Sequence, residues 1–125
     1  MAATHFSGPV VVNSVGIYPT TSSTTSAADS LAIPVTHRYV AKTTGADAEA
    51  LTLANGTQGQ ELTITLVADG NGDGTLTPAT STQFATIVFA DAGDTANLMY
   101  VDDTVGWIIT GLFGLSAQPV YTAAS

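Results

Sequence analysis

The sequence predicts an all-β protein, folded as a small antiparallel sandwich or a jelly-roll-like barrel. Three observations favour this class: short apolar segments alternate with Thr and Ser at a period of two, clusters of Gly, Asn and Asp separate them, and no segment joins helical periodicity to helix caps. The 125 residues fit one domain. We divide it into an extended N-terminal arm (1–30), a β-domain (31–110) and a C-terminal tail (111–125).

The predicted arm differs in composition from the rest of the chain. Residues 9–12, Pro-Val-Val-Val, can form a short strand. Residues 20–30, TTSSTTSAADS, are rich in Ser and Thr and have no apolar periodicity, which is typical of a loop or linker. Such an arm is either a loose terminus or a segment that becomes ordered on a partner.

The first half of the β-domain contains three predicted strands. Residues 31–40 alternate in polarity and predict one strand, and Pro34 indicates that this strand lies at a sheet edge or begins there, because proline cannot donate to a ladder. Residues 51–53 predict a second strand, which the turn signal NGTQG at 55–59 ends. Residues 62–67 predict the clearest half-buried strand of the chain.

Four more strands are predicted in the second half. Residues 75–77 predict a short strand that stops at Pro78. Residues 84–89 are largely apolar on both faces, which indicates a central strand. Residues 98–101 and 107–109 predict the last two. Several short strands separated by turns are typical of sandwiches and small barrels, and this pattern does not specify their order.

The most specific local motif is DGNGDG at residues 69–74. Asp69, Asn71 and Asp73 place oxygen ligands as the first half of an EF-hand calcium loop does. The twelfth position is Thr80, however, where calcium binding would use a bidentate Glu, and the flanking segments predict strands. We therefore expect a hairpin turn here, with a calcium site as the alternative.

Catalytic patterns are missing from the sequence, and we do not expect an enzyme. The chain has no cysteine and two histidines, which argues against a structural zinc site or a thiol nucleophile, and we expect His37 to be partly buried. Neither a GxSxG nor a GxGxxG motif occurs. Asp102 and Asp103 predict a turn. Trp107 predicts a core side chain, with an interface anchor or a sugar-stacking platform as alternatives.

The charge balance restricts the possible partners. Two basic residues against ten acidic ones give a net charge of -8. Neither nucleic acid nor an anionic membrane surface is expected, because both are bound through clustered Lys and Arg. We also expect no signal peptide and no membrane span. Only 10% of the residues are charged, and Thr, Ala and Val lose little side-chain entropy on contact. This composition favours subunit contacts over an ordinary acidic β domain.

The two ends of the chain contain the predicted contact residues. Apolar side chains spaced by Gly111 and Gly114 are hard to bury in a closed monomer, so they predict docking against a neighbour, with a last core strand as the alternative. The predicted contact residues are Phe6, Pro9, Val10, Val11, Val12, Leu112, Phe113, Leu115, Val120 and Tyr121.

Three segments carry a resemblance to a known class of protein. The opening MAATHFSGPVVV (1–12) resembles the starts of small virion proteins of tailed bacteriophages. The likeness continues in TTGADAEALTLANGTQGQELTITLVADGNGDGTLTP (43–78) and in TIVFADAGDTANLMYVDDTVGWIITG (86–111). Together these segments look like phage capsid decoration (cement) proteins or related head and fibre proteins.

The resemblance implies an all-β structural protein on the capsid surface. It would form a homotrimer at three-fold or quasi-three-fold positions of the head, bind the major capsid protein and stabilise the shell against the pressure of the packaged DNA. No active site comes with the resemblance. The alternative is a phage fibre or a host-surface or sugar-binding β-module, in its calcium-dependent form using Asp69, Asn71 and Asp73. The chain lacks a long helical or repetitive shaft, which argues against a full tail fibre.

Overall fold

A computed structural model describes residues 23–125, which form ten strands and contain no helix. The all-β prediction is confirmed. Accordingly, this part of the chain has no helix that is long and apolar enough to cross a membrane. The strands are β1 (Ser23–Ser26), β2 (Ala32–Ile33), β3 (Tyr39–Thr43), β4 (Glu49–Leu53), β5 (Glu61–Ala68), β6 (Gly74–Pro78), β7 (Phe84–Phe89), β8 (Thr95–Tyr100), β9 (Trp107–Phe113) and β10 (Val120–Ala123).

The strands form two five-stranded sheets, in the orders β1-β3-β5-β8-β9 and β10-β7-β6-β4-β2. Parallel pairing joins β1, β3 and β5 in the first sheet and β2, β4 and β6 in the second. The remaining strands pair antiparallel. Of the two predicted architectures, the sandwich is the one that residues 23–125 support, since these sheets do not close into a barrel. The antiparallel pairing predicted for the sandwich is found in four of these strand pairs, and the other four are parallel, so each sheet is mixed.

The mixed sheets follow from how the chain travels. From Ser23 to Pro78 each strand is followed by one in the opposite sheet, so strands two apart in sequence become parallel neighbours. Parallel neighbours need a crossover, and here the other sheet supplies it. The hairpin predicted at residues 69–74 is therefore wrong, because this loop joins β5 to β6 across the two sheets.

The predicted strand at residues 31–40 is also divided between the sheets. β2 ends at Ile33, and Pro34 follows it at once, where a donor is lost and the ladder stops. Residues 34–38 are irregular, and β3 begins at Tyr39 in the other sheet. The edge position predicted from Pro34 is correct for β2, the last strand of its sheet, but not for β3, which lies between β1 and β5.

The sheets extend on both sides of the predicted 31–110 β-domain. β1 lies within the predicted arm, β9 runs on to Phe113, and β10 lies within the predicted tail. Residues 1–22 of the arm, including the predicted contact residues Phe6 and Pro9 to Val12, lie outside the described residues.

The core lies between the sheets and uses the side chains that the alternation predicted. Leu51 and Leu53 of β4 point inward, as do Leu62, Ile64 and Leu66 of β5. The fully buried apolar residues are Ile33, Val40, Leu51, Leu53, Leu62, Ile64, Leu66, Leu76, Phe84, Ile87, Phe89, Ala96, Leu98, Tyr100 and Trp107.

Trp107 is confirmed as a core residue. Its ring is fully buried and meets Tyr100 edge to face, with 5.2 Å between the ring centroids. The indole Nε1 donates to the carbonyl of Ala54 at 2.9 Å, so its polar group is satisfied inside the core. A buried ring cannot serve as a stacking platform for sugars.

Candidate functional site

Four exposed apolar side chains lie near the end of the chain. We call Phe113, Leu115, Val120 and Tyr121 the C-terminal apolar surface; their exposed fractions are 55%, 89%, 67% and 50%. Phe113 ends β9, and Val120 and Tyr121 begin β10. Val120 and Tyr121 point to opposite faces of β10, so the name covers a set of exposed side chains and not one flat patch, and exposed large apolar side chains of this kind can mark a binding site. The surface is therefore a candidate for protein contact.

Gln83 links the edge strands of the two sheets. Its backbone carbonyl accepts the Ala124 N–H at 3.0 Å, and its side-chain Oε1 accepts the Ile109 N–H at 2.6 Å. β9 is the edge strand of one sheet and β10 the edge strand of the other. One residue thus fixes the two strands that carry the exposed side chains.

β10 is exposed on both of its faces. Successive strand residues point to opposite faces, yet all four residues of β10 are exposed. The strand is held by its ladder with β7, in which Val120 pairs with Val88 and Tyr121 with Ile87. Backbone bonds without burial of either face contribute little stability on their own.

The loop between β9 and β10 folds tightly and leaves a groove beside it. At Gly114 a Cβ would overlap the carbonyl oxygen of Ala117, so this close approach requires glycine. Leu115 projects over the turn at Gly93, where φ is +99°. The groove has a volume of about 590 Å³ and is lined by Leu112, Phe113, Gly114, Ser116, Ala117 and Gln118.

The structure separates the predicted contact residues of the tail into two groups. Leu112 is half-buried and packs against the core, so for this residue the last-core-strand alternative is correct. Phe113, Leu115, Val120 and Tyr121 remain exposed. Whether they contact a partner stays a prediction.

Charge is absent from the sequence that forms this surface. Residues 104–125 contain no Asp, Glu, Lys or Arg. The nearest acidic residues along the fold belong to the turn around Gly93, where the Asp94 carboxylate is buried and accepts the N–H groups of Ala90 and Asp91 at 2.9 and 3.1 Å. The surface therefore contains no charged side chain of its own, but Leu115 lies against a turn that carries Asp91 and Asp94.

Among the sequence motifs, the DGNGDG loop (69–74) is the strongest candidate for a metal site. Asp69 Oδ1 accepts the N–H of Asn71 at 2.8 Å, and Asn71 adopts a φ of +86°, which Asn tolerates better than most residues. The Gly72 N–H donates to the carbonyl of Gly45 at 2.9 Å, and a Cβ on Gly72 would come within 2.0 Å of the Asp47 carbonyl. Backbone packing against residues 44–47 thus explains the glycines.

The predicted ligands of the loop do not form a recognisable metal centre. Asp73 uses its backbone carbonyl to accept the Glu49 N–H at 2.9 Å. Within residues 23–125 no three side chains of the His, Cys, Asp and Glu types are grouped so that they could hold a metal ion. Calcium binding through Asp69, Asn71 and Asp73 stays a prediction.

A buried ion pair lies next to this loop, and the sequence patterns did not predict it. Lys42 Nζ lies 2.7 Å from Glu49 Oε1 and also donates to the carbonyls of Ala27 and Ser30 at 3.0 and 2.7 Å. These three contacts use all three protons of the ammonium group. Both side chains are almost fully buried. The pair therefore ties β3 and β4 to the turn that follows β1.

The environment of Glu49 favours its charged form. Burial by itself raises the pKa of the carboxyl group, but the hydrogen bonds from Lys42, Gly45 and Asp29 and the charge of Lys42 together lower it below 4.5. Oε2 accepts the Gly45 N–H at 2.6 Å, and Oε1 has only the Lys42 ammonium within the described part of the chain. A signal was present in the sequence, since both residues occupy inward positions of their strands.

The remaining polar candidates are structural. Tyr100 donates to Asp103 Oδ1 at 2.5 Å, and this bond, with burial and the charges of both aspartates, raises the pKa of Tyr100 to about 12. Asp102 Oδ1 accepts the Val105 N–H at 2.7 Å, which confirms the predicted turn. His37 is partly buried, as predicted.

No protein-family model matches the chain, and no curated protein matches it significantly in sequence.

Proposed function

We propose that this chain is a structural virion protein: a capsid decoration (cement) protein that binds the major capsid protein of a tailed bacteriophage and stabilises its head. The C-terminal apolar surface carries the proposal. Phe113, Leu115, Val120 and Tyr121 expose apolar area that a solitary domain would gain by burying. The segments that resemble decoration proteins supply the class of partner.

The composition supports a function based on protein contact. Thr, Ser and Ala replace the long charged side chains of an ordinary surface, since only 10% of the residues are charged. Such side chains lose little rotamer freedom when a partner covers them. A protein that must coat a large shell in many copies benefits from this low ordering cost, and assembly as a homotrimer belongs to the proposal.

The arrangement of the cations supports a location outside the genome compartment. Lys42 is buried against Glu49, and Arg38 lies 3.5 Å from Glu61 on the surface. These are the two basic side chains of a chain with a net charge of -8. A surface of this kind repels DNA phosphates, as suits a protein that coats a DNA-filled head. The sugar-binding alternative gains no support from Trp107, whose ring is buried.

The direct test is to locate the protein in purified particles of the phage that encodes it. Mass spectrometry of the particles should detect the chain, and a cryo-EM map should place it on the outer face of the head at three-fold positions. Particles depleted of the protein should release their DNA at a lower temperature. Absence from the particle, or a position only on the tail, would contradict the proposal.

A rebinding experiment tests the surface itself. Heads lacking the protein are mixed with the wild-type chain, with Leu115→Asp, or with Leu31→Asp. Leu31 is also an exposed apolar residue, but it adjoins β2, at the edge of the sheet opposite β10. We expect the Leu115 variant to lose most of its binding and the Leu31 variant to keep it; equal binding by all three would count against the surface.

A further inference from the structure

We propose that residues 10–17 add a sixth strand to the second sheet, at the outer edge of β2. The occupant of that edge is thus part of the same chain, within the 22 residues that precede β1. The proposal goes beyond the proposed function, because it concerns the fold of one chain and not attachment to a head. It gives Val10 to Val12 a place in their own domain, whereas the sequence predicted that they contact a neighbour.

The path of the described chain indicates where a strand before β1 should lie. From β1 to β6, successive strands alternate between the two sheets, and strands two apart in sequence pair in parallel. A preceding strand that continues this alternation lies in the second sheet and pairs in parallel with β2. β2 is the last strand of that sheet, and no strand among residues 23–125 pairs with its outer edge.

The spacing of the parallel strands locates this strand in the sequence. Four of the five connections between β1 and β6 contain five residues, and the other contains seven. The same lengths before Ser23 end the added strand between residues 15 and 17. Parallel partners are 16 to 25 residues apart, so the partner of Ala32 lies between residues 7 and 16. A strand at residues 10–17 satisfies both conditions.

Residues 10–17 have the composition of a strand. Five of the eight, VVVNSVGI, are Val or Ile, which favour strands. The segment contains no Asp, Glu, Lys or Arg, so no charge opposes its pairing. Proline also marks the ends of strands in the second sheet, since Pro34 directly follows β2 and Pro78 is the last residue of β6. Pro19 stands in the same way just after this segment.

The outer edge of β2 offers backbone groups for pairing. In the ladder with β4, the Thr52 N–H donates to the Leu31 carbonyl at 2.9 Å, and Ala32 lies opposite Thr52. Because alternate residues of a strand bond to the same neighbour, the N–H and the carbonyl of Ala32 point away from β4. Free edges are commonly protected by charged side chains, yet residues 30–37 contain no Asp, Glu, Lys or Arg. An added strand would pair the backbone groups of Ala32.

The chain can reach this edge from the start of β1. Ser23 pairs with Tyr39, which follows the end of β2 after five residues. The start of β1 therefore lies beside a connection that already crosses from the edge of the second sheet to the first. Facing sheets lie about 10 Å apart, and five extended residues span roughly 17 Å. Residues 18–22 are enough to make the same crossing.

Disulfide trapping in the full-length chain tests the proposal, because the natural sequence has no cysteine that could interfere. Ala32→Cys, at an exposed side chain, is combined with a cysteine at each of residues 10–17 in turn. After mild oxidation, non-reducing electrophoresis separates disulfides within one chain from those between chains. We expect most of the chain to form the internal disulfide at the best positions. The yield should alternate along the segment, because only every second side chain shares the face of Ala32.

The control pairs use Val120→Cys in place of Ala32→Cys. Val120 is also exposed, but it lies in β10, at the opposite edge of the same sheet. These pairs should give little internal disulfide. Equal yields with Ala32 and Val120 would show random contact and would overturn the proposal. Disulfides only between chains would assign the edge of β2 to another copy, and no disulfide at all would show that nothing pairs there; both results overturn it.

Amide exchange in the chain without cysteine gives a second readout if the cysteine variants do not fold. The Ala32 N–H should exchange roughly tenfold or more slowly in the wild type than in Val15→Pro, because proline interrupts the added strand. Equal rates in the two proteins would overturn the proposal. Failure of the proposal would leave the C-terminal apolar surface, and the function proposed for it, unaffected.

Discussion

Two regions of this sandwich differ in which side chains they bury: one buries charged side chains, and the other leaves apolar side chains exposed. Around β3 and β4 the fold buries a lysine and a glutamate, and it surrounds Lys42 and Glu49 with carbonyl and N–H partners. Around β9 and β10 it leaves Leu115 and Tyr121 exposed, in a segment (104–125) that has no charged side chain. The first region is complete within one chain, because its polar groups are paired. The second gains by burial only when another surface covers it.

The difference teaches where structure and function lie in this molecule. A buried ion pair is weak evidence for net stability, but removing one partner is costly. Substitution of Lys42 or Glu49 should therefore lower the free energy of unfolding strongly. Substitutions in the C-terminal apolar surface should change the free energy of unfolding little, since its side chains are exposed. Substitutions should therefore affect folding in the first region and association in the second.

The largest effect is expected from Glu49→Gln. The variant leaves the Lys42 ammonium buried without an anion, and it should lower the free energy of unfolding by about 3 kcal/mol. Urea denaturation followed by circular dichroism measures this. Glu61→Gln removes the partner of Arg38 from an exposed pair and serves as the control; its effect should stay below about 1 kcal/mol. Equal losses in the two variants would contradict the distinction.

A somewhat smaller effect is expected from Gly72→Ala. Its Cβ would come within 2.0 Å of the Asp47 carbonyl, so the DGNGDG loop must move away from residues 44–47. We expect a loss of about 2 kcal/mol. The control is Gly59→Ala, where nothing lies within 4 Å of the added Cβ and the positive φ of +83° is the cost instead; strain alone should cost it about 1 kcal/mol. Identical melting temperatures for the two variants would show that close packing of Gly72 against the Asp47 carbonyl is not the cause of the loss.

The pH dependence of stability sharpens the account of Glu49. Its pKa in the folded protein is lowered, so its contribution is complete above the unfolded value near 4.5 and is lost as the pH falls through the folded value. Urea denaturation between pH 7 and pH 3 should show this loss in the wild type. Glu49→Gln should show a shallower acid decline. Parallel curves for the two proteins would contradict the assignment.

The smallest effect is expected at Tyr100. Its raised pKa means that the neutral phenol is favoured in the folded state, so its contribution to stability is lost as the pH rises from 10 towards 12. Absorbance titration should show one tyrosine ionising near pH 12. Asp103→Asn should lower that pKa, whereas Asp91→Asn, which removes an equal charge from an exposed turn, should leave it unchanged.

Sequence periodicity predicted the inward faces but not the partners of the strands. The alternation of Leu62, Ile64 and Leu66 identifies which side chains are buried. The same alternation suits a parallel or an antiparallel neighbour, and a turn signal suits a hairpin or a connection between sheets. This is why the mixed topology and the division at Pro34 could not be predicted.

In the candidate site, too, the sequence did not predict which individual residues are exposed and which are buried. Glycine spacing indicated that the tail is apolar and hard to bury, and four exposed side chains agree with it. Leu112 and Phe113 are neighbours on a strand and point to opposite faces, so only the fold decides which is covered. Lys42 and Glu49 were missed because charged residues are seldom fully buried unless they are paired, and pairing needs the third dimension.

Hydrogen exchange of the β10 amides at rising protein concentration tests the central claim most directly. The account predicts that peptides covering residues 113–123 become more protected as concentration increases, while peptides from β5 in the core keep the same rate. The Leu115→Asp variant should show no such gain. If residues 113–123 exchange at one rate across the whole concentration range, and remain equally unprotected in purified particles, the C-terminal apolar surface is not a contact surface.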